Sequence, residues 1–558
     1  MEPIYKEFVD ESFNENGILT DIKFHYPDNF NFAFDVLDVL AERYPDQNAM
    51  IWLSKNKEKT VYSYSDIANE SKRAANFLIS LGIGKGDRVL VVVKRHHQFW
   101  PIMMALCRIG AIAVPATFLL TKKDFVYRFN TAGISAVICT CDGGVADSVD
   151  ESVSESPSLQ HRISVMGSRD GWVSYDDNVS RFPAVFDRPT GDAATKSDDI
   201  MLMYFTSGTT GYPRVVAHSF TYPLGHIITG VHWHHVIRGG LHFTIADTGW
   251  GKAVWGKLYG QWFGESCVLT YDFDKFDAKD ILSVMADNRV TTFCAPPTMY
   301  RFMIHEDFSQ YDLSSLQYAT TAGEALNPEV YNRFYKATGL KMMEGFGQTE
   351  TTLTVCNLFG NTNIPGSMGK PSPGYKIKLV DNDDKEVEPG IVGEIAIDTT
   401  DGAPVGMFKC YYGNDEATEK AWHNNLYHTG DTAWYDEQGY LWFVGRVDDL
   451  IKSSGYRISP FEIESVLMEH SAVLECAVTG VPDELRGQLV KATIKLVPGF
   501  EPSEELADEL KKFVKRLTAP YKYPRVIEFV DELPKTISGK IRRVEIRSTE
   551  NKDAQHRY

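Results

Sequence analysis

The run Thr206 to Arg214, TSGTTGYPR, gathers hydroxyl side chains and glycines directly after an apolar, strand-like stretch, IMLMYF. Backbone N–H groups and hydroxyls on such a turn can wrap the oxygens of a phosphate. The GK[ST] ending of a Walker loop is missing, so that particular cradle is excluded; alone, the run also reads as a polar surface turn. A second run, GFGQTE from Gly345 to Glu350, closes another apolar stretch. Its threonine hydroxyl and carboxylate are hard oxygen donors of the kind that a phosphate and its Mg2+ take, with a solvated strand-to-loop turn as the plain alternative. A third run extends from Tyr427 to Ile458 and begins YHTGD. There Asp431, in a glycine turn, is suited to accept two ribose hydroxyls, and the fork of Arg446 could reach a ribose or a phosphate. Near the C-terminus, in PKTISGKIRR, Lys540 follows Gly539; a lone lysine so placed is ordinarily a surface charge.

These runs need a scaffold, and the sequence supplies one. Ser63 and Asp66 form a capping pair ahead of a helical IANESKRAANFLISLG. The β-branched RVLVVVK is a buried strand, FWPIMMALCRIGA a helix and AIAVPA a second strand. Alternation continues through DILSVMADN, TTFCAPP, TMYRFMIHE, QYATTAGE, PEVYNRFYKATG and KMMEGFGQTE, and strands alternating with helices imply a parallel sheet. Between Gly366 and Phe443 helices vanish from the pattern, and YKIKLV and GEIAI point to a small antiparallel β-region. From Ile458 onward EIESVLMEH, VLECAVTG, VKATIKLV, ELADELKKFVKRL and RVIEFV make a compact α+β unit. The fold class expected is therefore α/β: a large N-terminal region of layered sheets plus a small β-region, then a smaller α+β domain. The boundary falls in the charged turn Arg446 to Asp449, giving residues 1–447 and 448–558.

At 558 residues the chain exceeds one compact core. Its net charge of −18 argues against a bulk attraction to nucleic acid or an anionic membrane. Each cation inside a glycine-rich motif is the more informative for that. The eight cysteines show no zinc spacing, the acidic N-terminus resembles no leader, and no apolar run reaches membrane length. A cytoplasmic location with free thiols is expected, and a homo-oligomer is compatible with all of this.

Taken in order, TSGTTGYPR, GFGQTE, YHTGD, GRVDDLIKSSGYRI and PKTISGK resemble the adenylate-forming superfamily of acyl-CoA synthetases, peptide-synthetase adenylation domains and luciferases. The likeness runs from about residue 35 to 547 and is strongest to medium-chain acyl-CoA synthetases and their archaeal and bacterial relatives, down to TAPYKYPR. It implies an enzyme that joins a carboxylic acid to AMP with release of pyrophosphate and then passes the acyl group to CoA, with Mg2+ as cofactor and ATP and CoA as co-substrates. Thr206, Ser207, Gly208, Thr209, Thr210 and Gly211 would close over the β- and γ-phosphates. The family's lysine after proline is Arg214 here, which receives no essential role. Gly323, Glu324 and Ala325 would line adenine. Glu344, Gly345, Phe346, Gly347, Gln348 and Thr349 would pass along the nucleotide, with Thr349 near the α-phosphate and Glu350 as Mg2+ ligand. Asp431 would hold the ribose with Arg446 beside it, and Arg457 would contact CoA or the nucleotide.

Lys540 matches the catalytic lysine. A carboxylate attacking a phosphate brings negative charge onto negative charge, and a lysine together with Mg2+ offsets it. In the family the small domain delivers this lysine and then turns about a hinge, here Asp448, for thioester formation. Ser453, Ser454 and Gly455 would then face the pantetheine arm, where glycine leaves a thin passage. Arg457, Arg486, Lys515 and Tyr523 match positions that contact CoA or the nucleotide. No base for the CoA thiol is legible, and a thiol pKa of about 8.5 makes a dedicated one dispensable.

The segment Ile245 to Trp262 resembles the acid-binding stretch, with Trp250, Trp255 and Tyr259 as pocket lining, although aromatics at helical spacing are also plain core. Acetate-specific relatives carry tryptophan just before the glutamine. Gly347 is expected to leave that space open, implying an acid larger than acetate (medium-chain, branched-chain or aromatic) and a shift toward acetate or propionate in Gly347→Trp. His232, His234 and His235, around Trp233, read as pocket wall or packing rather than a metal site. A stand-alone adenylation enzyme loading an acyl carrier protein is the nearest rival. A luciferase-like oxidase and a non-catalytic nucleotide sensor stand further off.

Overall fold

The computed structural model describes residues 2–206, 213–454, 456–483, 485–535 and 541–548, with side chains for all of these except Arg457 and Ser548. Contacts between Cα atoms divide the chain into two compact units. The first holds residues 1–376 and 399–422, the second 377–398 and 423–558.

The first unit is built on two large sheets. In the nine-stranded sheet six central strands run parallel, in the order Met342–Gly347, Tyr318–Ala322, Thr292–Ala295, Leu241–Thr244, Cys267–Tyr271, Asn48–Leu53. Antiparallel strands Leu353–Cys356 and Lys59–Ser63 flank them. The eight-stranded sheet sets Arg88–Val92 between Ile112–Pro115 and Ala136–Thr140, all parallel. Ile200–Thr206 joins beside Ile112–Pro115, and Arg214–Ser219 folds back on it antiparallel.

The local signals behave as their chemistry requires. Ser63 Oγ accepts from the Asp66 amide at 3.0 Å, and the Asp66 carboxylate accepts from the Ser63 amide at 2.8 Å. That reciprocal cap starts the helix Tyr64–Ser80. Every residue of the helix Phe99–Ile109 is buried: its composition is apolar except for Arg108, whose guanidinium is paired with Asp38 at 2.7 Å. Gly110 ends it at φ +72°, the left-handed turn that glycine adopts without a Cβ clash.

Within the second unit, strands Ile377–Val380, Gly393–Asp398, Leu426–Tyr435 and Leu441–Arg446 form the antiparallel β-region that the sequence suggested. Strands Ile451–Ser453, Val473–Asp483, Gly487–Leu496 and Val526–Phe529 follow, with helices Pro460–Leu467 and Glu504–Leu517 packed on them. One expectation fails between Gly366 and Phe443. A short helix, Asp415–Ala421, forms in the first unit because the Asn414 side chain accepts from the Ala417 amide at 3.0 Å and caps it. Among the described residues no helix is long and apolar enough to cross a membrane. All eight cysteines are free.

Candidate active site

Parallel register brings two of the motifs together. Ala322 pairs with Gly345, so Gly323–Ala325 and Gly347–Glu350 both leave the carboxyl ends of neighbouring strands on the same side of the sheet. That is where open parallel sheets hold ligands. Lys252 donates to the Ala322 carbonyl at 2.6 Å and ties the aromatic segment to this edge. Glu324 accepts from the Thr298 hydroxyl at 2.7 Å and faces Arg301 at 3.6 Å.

Glu344 is almost wholly buried, and one carboxyl oxygen accepts from the Leu326 amide at 3.1 Å. Its side chain therefore braces the 323–326 turn from beneath. Burial pushes its pKa up to about 8, partly offset by the Leu326 amide, so the group is protonated at neutral pH. Its folded pKa is raised, so the stability it contributes is complete below about pH 4.5 and is lost as pH rises through about 8. Glu344→Gln keeps the acceptor and removes the ionisation. The variant is expected to gain on the parent by on the order of 4 kcal/mol between pH 4.5 and pH 9. Paired thermal melts across that range check it, and parallel profiles would exclude the assignment.

Gly345 has no room for a side chain, because a Cβ there would lie 2.6 Å from Leu353 and 2.7 Å from the Trp233 indole. Gly345→Ala is expected to cost roughly 1–3 kcal/mol through overpacking, read as a fall in melting temperature. Trp233 is buried, and the neighbouring histidines each have their own partner. His234 Nδ1 meets the Thr320 hydroxyl at 2.8 Å, His235 stacks on Phe359 at 3.7 Å, and His232 pairs with Glu11. Packing explains the cluster.

Thr349 and Glu350 are half-buried and held from both sides. His218 Nε2 donates to the Thr349 carbonyl at 2.7 Å; burial drives its pKa down to about 3, so the ring stays neutral and this tautomer is fixed. Tyr411 donates its hydroxyl to Glu350 Oε1 at 2.9 Å, and the Phe408 amide donates to the Glu350 carbonyl at 2.8 Å. The Arg214 guanidinium lies 5.1 Å over the Tyr411 ring. Burial, and then the Glu350 charge, hold the Tyr411 phenol well above its ordinary value, so it remains a donor. Neither His218 nor Tyr411 stood out in the sequence. Tyr411 lies 61 positions from Glu350, with no spacing to connect them. The Glu350 carboxylate is an oxygen donor of the kind that suits Mg2+, and the Tyr411 hydroxyl already orients it.

Thr206 pairs with Arg214 at the end of the antiparallel strand pair where the chain passes from one strand to the other. Ser207, Gly208, Thr209, Thr210 and Gly211 lie outside the described residues, as do Gly455 and Lys540.

The acid segment departs from expectation at Gly347. A Cβ there would lie 2.3 Å from the Thr352 carbonyl oxygen and 2.4 Å from Trp255, so the space is not open. The Trp255 indole fills it and donates to the Tyr222 hydroxyl at 3.2 Å. Tyr259 is enclosed in the core with Phe32, Tyr222 and His226 around it. Trp250 is half-buried at the start of the helix Gly251–Lys257.

In the second unit Asp431 and Arg446 face each other across paired strands, with Oδ1 and Nη1 3.5 Å apart. Arg446 Nε also stands 3.6 Å from Asp448, which is exposed. The Ser454 amide donates to the Arg486 carbonyl at 2.9 Å, and Ser453 pairs with Gly487, which makes Ser453, Ser454 and Arg486 neighbours. Arg457 pairs through its backbone with Lys452. Lys515 Nζ sits 5.4 Å from the Tyr523 ring centre.

Two glycine-containing motifs leaving adjacent parallel strands at one edge, on a sheet of this order, fit a nucleotide-dependent enzyme of the adenylate-forming class. Residues 37–412 match the family described as AMP-binding enzyme and 462–540 its C-terminal domain, and the chain belongs to this family. Within it the chain is an AMP-forming acyl-CoA synthetase, an acid–thiol ligase that uses Mg2+, ATP and CoA. It is similar to mitochondrial acyl-coenzyme A synthetase ACSM3 of Mus musculus, 37% identical over 99% of this chain and 96% of that one. To mitochondrial ACSM5 of Homo sapiens it is 40% identical, over 94% and 91%. The anthranilate CoA ligase AuaEII, solved with anthranoyl-AMP, superposes with a TM-score of 0.85 at 30% identity, covering 94% of this chain and 98% of that one. A benzoate CoA ligase from Burkholderia xenovorans gives 0.79 at 28% identity, covering 93% and 100%. The cytoplasmic location expected from the N-terminus and the cysteines is corrected by these relatives, since ACSM3 and ACSM5 are mitochondrial proteins.

Proposed function

We propose that this enzyme activates an acid larger than acetate, of the medium-chain, branched-chain or aromatic class, and transfers it to CoA. The observation that carries the reading is the emergence of Gly323–Ala325 and Gln348–Glu350 side by side beyond two adjacent parallel strands. The acid class is supported by relatives named as anthranilate and benzoate CoA ligases.

In the first half-reaction a carboxylate oxygen bonds to the α-phosphorus and the bond to the bridging oxygen breaks, releasing pyrophosphate. Mg2+ bound by Glu350 supplies charge neutralisation on the phosphates. Thr206 to Gly211 bind the leaving phosphates, Thr349 stands near the α-phosphate, and Gly323–Ala325 with Gly345–Gln348 orient the nucleoside. Lys540, in the C-terminal region from 448, offsets the charge that builds on the reacting oxygens. In the second half-reaction the CoA sulfur bonds to the acyl carbon and AMP leaves, with Ser453, Ser454, Gly455, Arg457, Arg486, Lys515 and Tyr523 serving CoA and Asp448 the hinge. Asp431 and Arg446 hold the ribose.

Pyrophosphate release across a panel of acids, with and without CoA, tests this. The expected pattern is CoA consumption matched to release, best with acids beyond propionate. Turnover only with a carrier protein, or best with acetate, would defeat it.

Trp255, not residue 347, is the proposed limit on acid length. Trp255→Ala is expected to raise the kcat/KM ratio of long over short acids by roughly 10-fold. Gly347→Trp should lose folded enzyme rather than change preference, because even its Cβ meets the Thr352 carbonyl. A stable, fully active Gly347→Trp would refute this.

A further inference from the structure

At the start of the YHTGD run, three residues before Asp431, the second unit gathers two histidines and two carboxylates around His428. Asp384 lies in the turn between Ile377–Val380 and Gly393–Asp398, His428 on the strand Leu426–Tyr435, and His423 just before that strand. Asp384 Oδ2 is 3.7 Å from His423 Nε2, and its Oδ1 is 3.7 Å from His428 Nε2. One nitrogen from each ring and one carboxylate oxygen all fall within 4.8 Å of one another. Ligand atoms about 2.0–2.2 Å from a tetrahedral ion stand roughly 3.3–3.6 Å apart, a spacing the two 3.7 Å contacts approach and toward which the group, now within 4.8 Å, would have to contract.

His428 carries the argument further. Its side chain is only 10% exposed, yet its Nε2 makes no hydrogen bond. Its other nitrogen, Nδ1, faces Glu394 Oε2 at 3.4 Å. A carboxylate on Nδ1 keeps the proton there and leaves the Nε2 lone pair for a metal, the arrangement found behind metal-bound histidines. Asn424 donates to Asp384 Oδ2 at 2.6 Å and orients the carboxylate. The His423 and His428 rings stack at 3.9 Å. His423, 43% exposed, has the room to tilt its nitrogen toward an ion.

The other group of this kind, His96 with Asp142 and Asp272, also holds a buried ring nitrogen without a hydrogen bond, His96 Nδ1, but its charge is already balanced. There the ammonium groups of Lys55 and Lys94 lie 2.7 and 2.8 Å from Asp142 and already supply the positive charge.

We propose that Asp384, His423 and His428, with Glu394 behind His428, form a binding site for a divalent transition metal, best matched by Zn2+. Two imidazoles and one carboxylate select such an ion over Mg2+, which prefers an oxygen shell. The site is separate from Glu350 and its Mg2+. Its ion would lock the Asp384 turn to the strand that carries His428. Glu394 also accepts from the Gly430 amide at 2.8 Å, so the lock extends to the residue before Asp431.

The full-length protein, stripped with chelator and re-equilibrated with micromolar Zn2+ in excess Mg2+, tests the site by metal analysis. About one Zn2+ per chain is expected to depend on these residues, and the double variant Asp384→Asn/His423→Gln should lose it. Glu394→Gln should weaken binding roughly 10–100-fold. Co2+ in place of Zn2+ should give visible d–d bands that the double variant lacks. Should the double variant fail to fold, His423→Gln alone, at a half-exposed position, serves the same comparison. Equal Zn2+ in parent and folded variant, or none in the parent, would overturn the proposal.

Discussion

Lys540→Ala is expected to slow acyl-adenylate formation by about 10²–10³-fold or more while largely sparing thiolysis of a supplied acyl-adenylate. The asymmetry follows from charge. Adenylation joins an anionic carboxylate to a polyanionic phosphate, and a cation aimed at the reacting oxygens lowers that barrier directly. Thiolysis expels AMP from an activated acyl group and needs no such cation. Single-turnover assays of each half-reaction separate the two steps. Lys540→Arg restores the charge but not the compact ammonium, and should recover only part of the rate. Equal loss in both half-reactions would mean that Lys540 supports the fold or the CoA site instead.

The second large effect is expected at Glu350. Replacing its carboxylate by an amide keeps the size and removes the charge that suits Mg2+. Glu350→Gln should therefore lower kcat by about 10²-fold and raise the Mg2+ concentration needed for half-maximal rate. Tyr411 supplies the control. Tyr411→Phe removes only the 2.9 Å bond that orients the carboxylate. A loss of roughly 5–10-fold is expected, the worth of one ordinary hydrogen bond of about 1–1.4 kcal/mol, again with a raised Mg2+ requirement. A purely structural role for Tyr411 would lower stability and leave the Mg2+ dependence untouched. Mg2+ titrations at saturating ATP and acid distinguish these outcomes.

Much of this protein is written locally in its chain. The Ser63–Asp66 cap, the buried helix Phe99–Ile109 and the alternation of strands and helices are short-range effects of capping, apolar period and β-branching. The chemical motifs are equally local, because a phosphate-wrapping turn must keep its glycines and hydroxyls contiguous. Residue types at Thr349, Glu350, Asp431 and Lys540 could therefore be named without coordinates. The small helix Asp415–Ala421 was missed because its start rests on one Asn414 side chain inside a β-rich stretch.

Tertiary structure alone decided what surrounds those motifs. Tyr411 reaches Glu350, and Trp255 closes the space beside Gly347, only because distant segments meet where the sheets pack. Glu344 remains protonated because the core around it is dry, a property of packing that its place in the motif does not reveal. The histidine and aspartate cluster at 384, 423 and 428 joins a turn to a strand some 40 positions away, with no spacing along the chain to connect them. Contiguous chemistry is legible in a sequence because the backbone itself fixes the spacing. Chemistry assembled across strands depends on register and burial, and these exist only once the chain has folded.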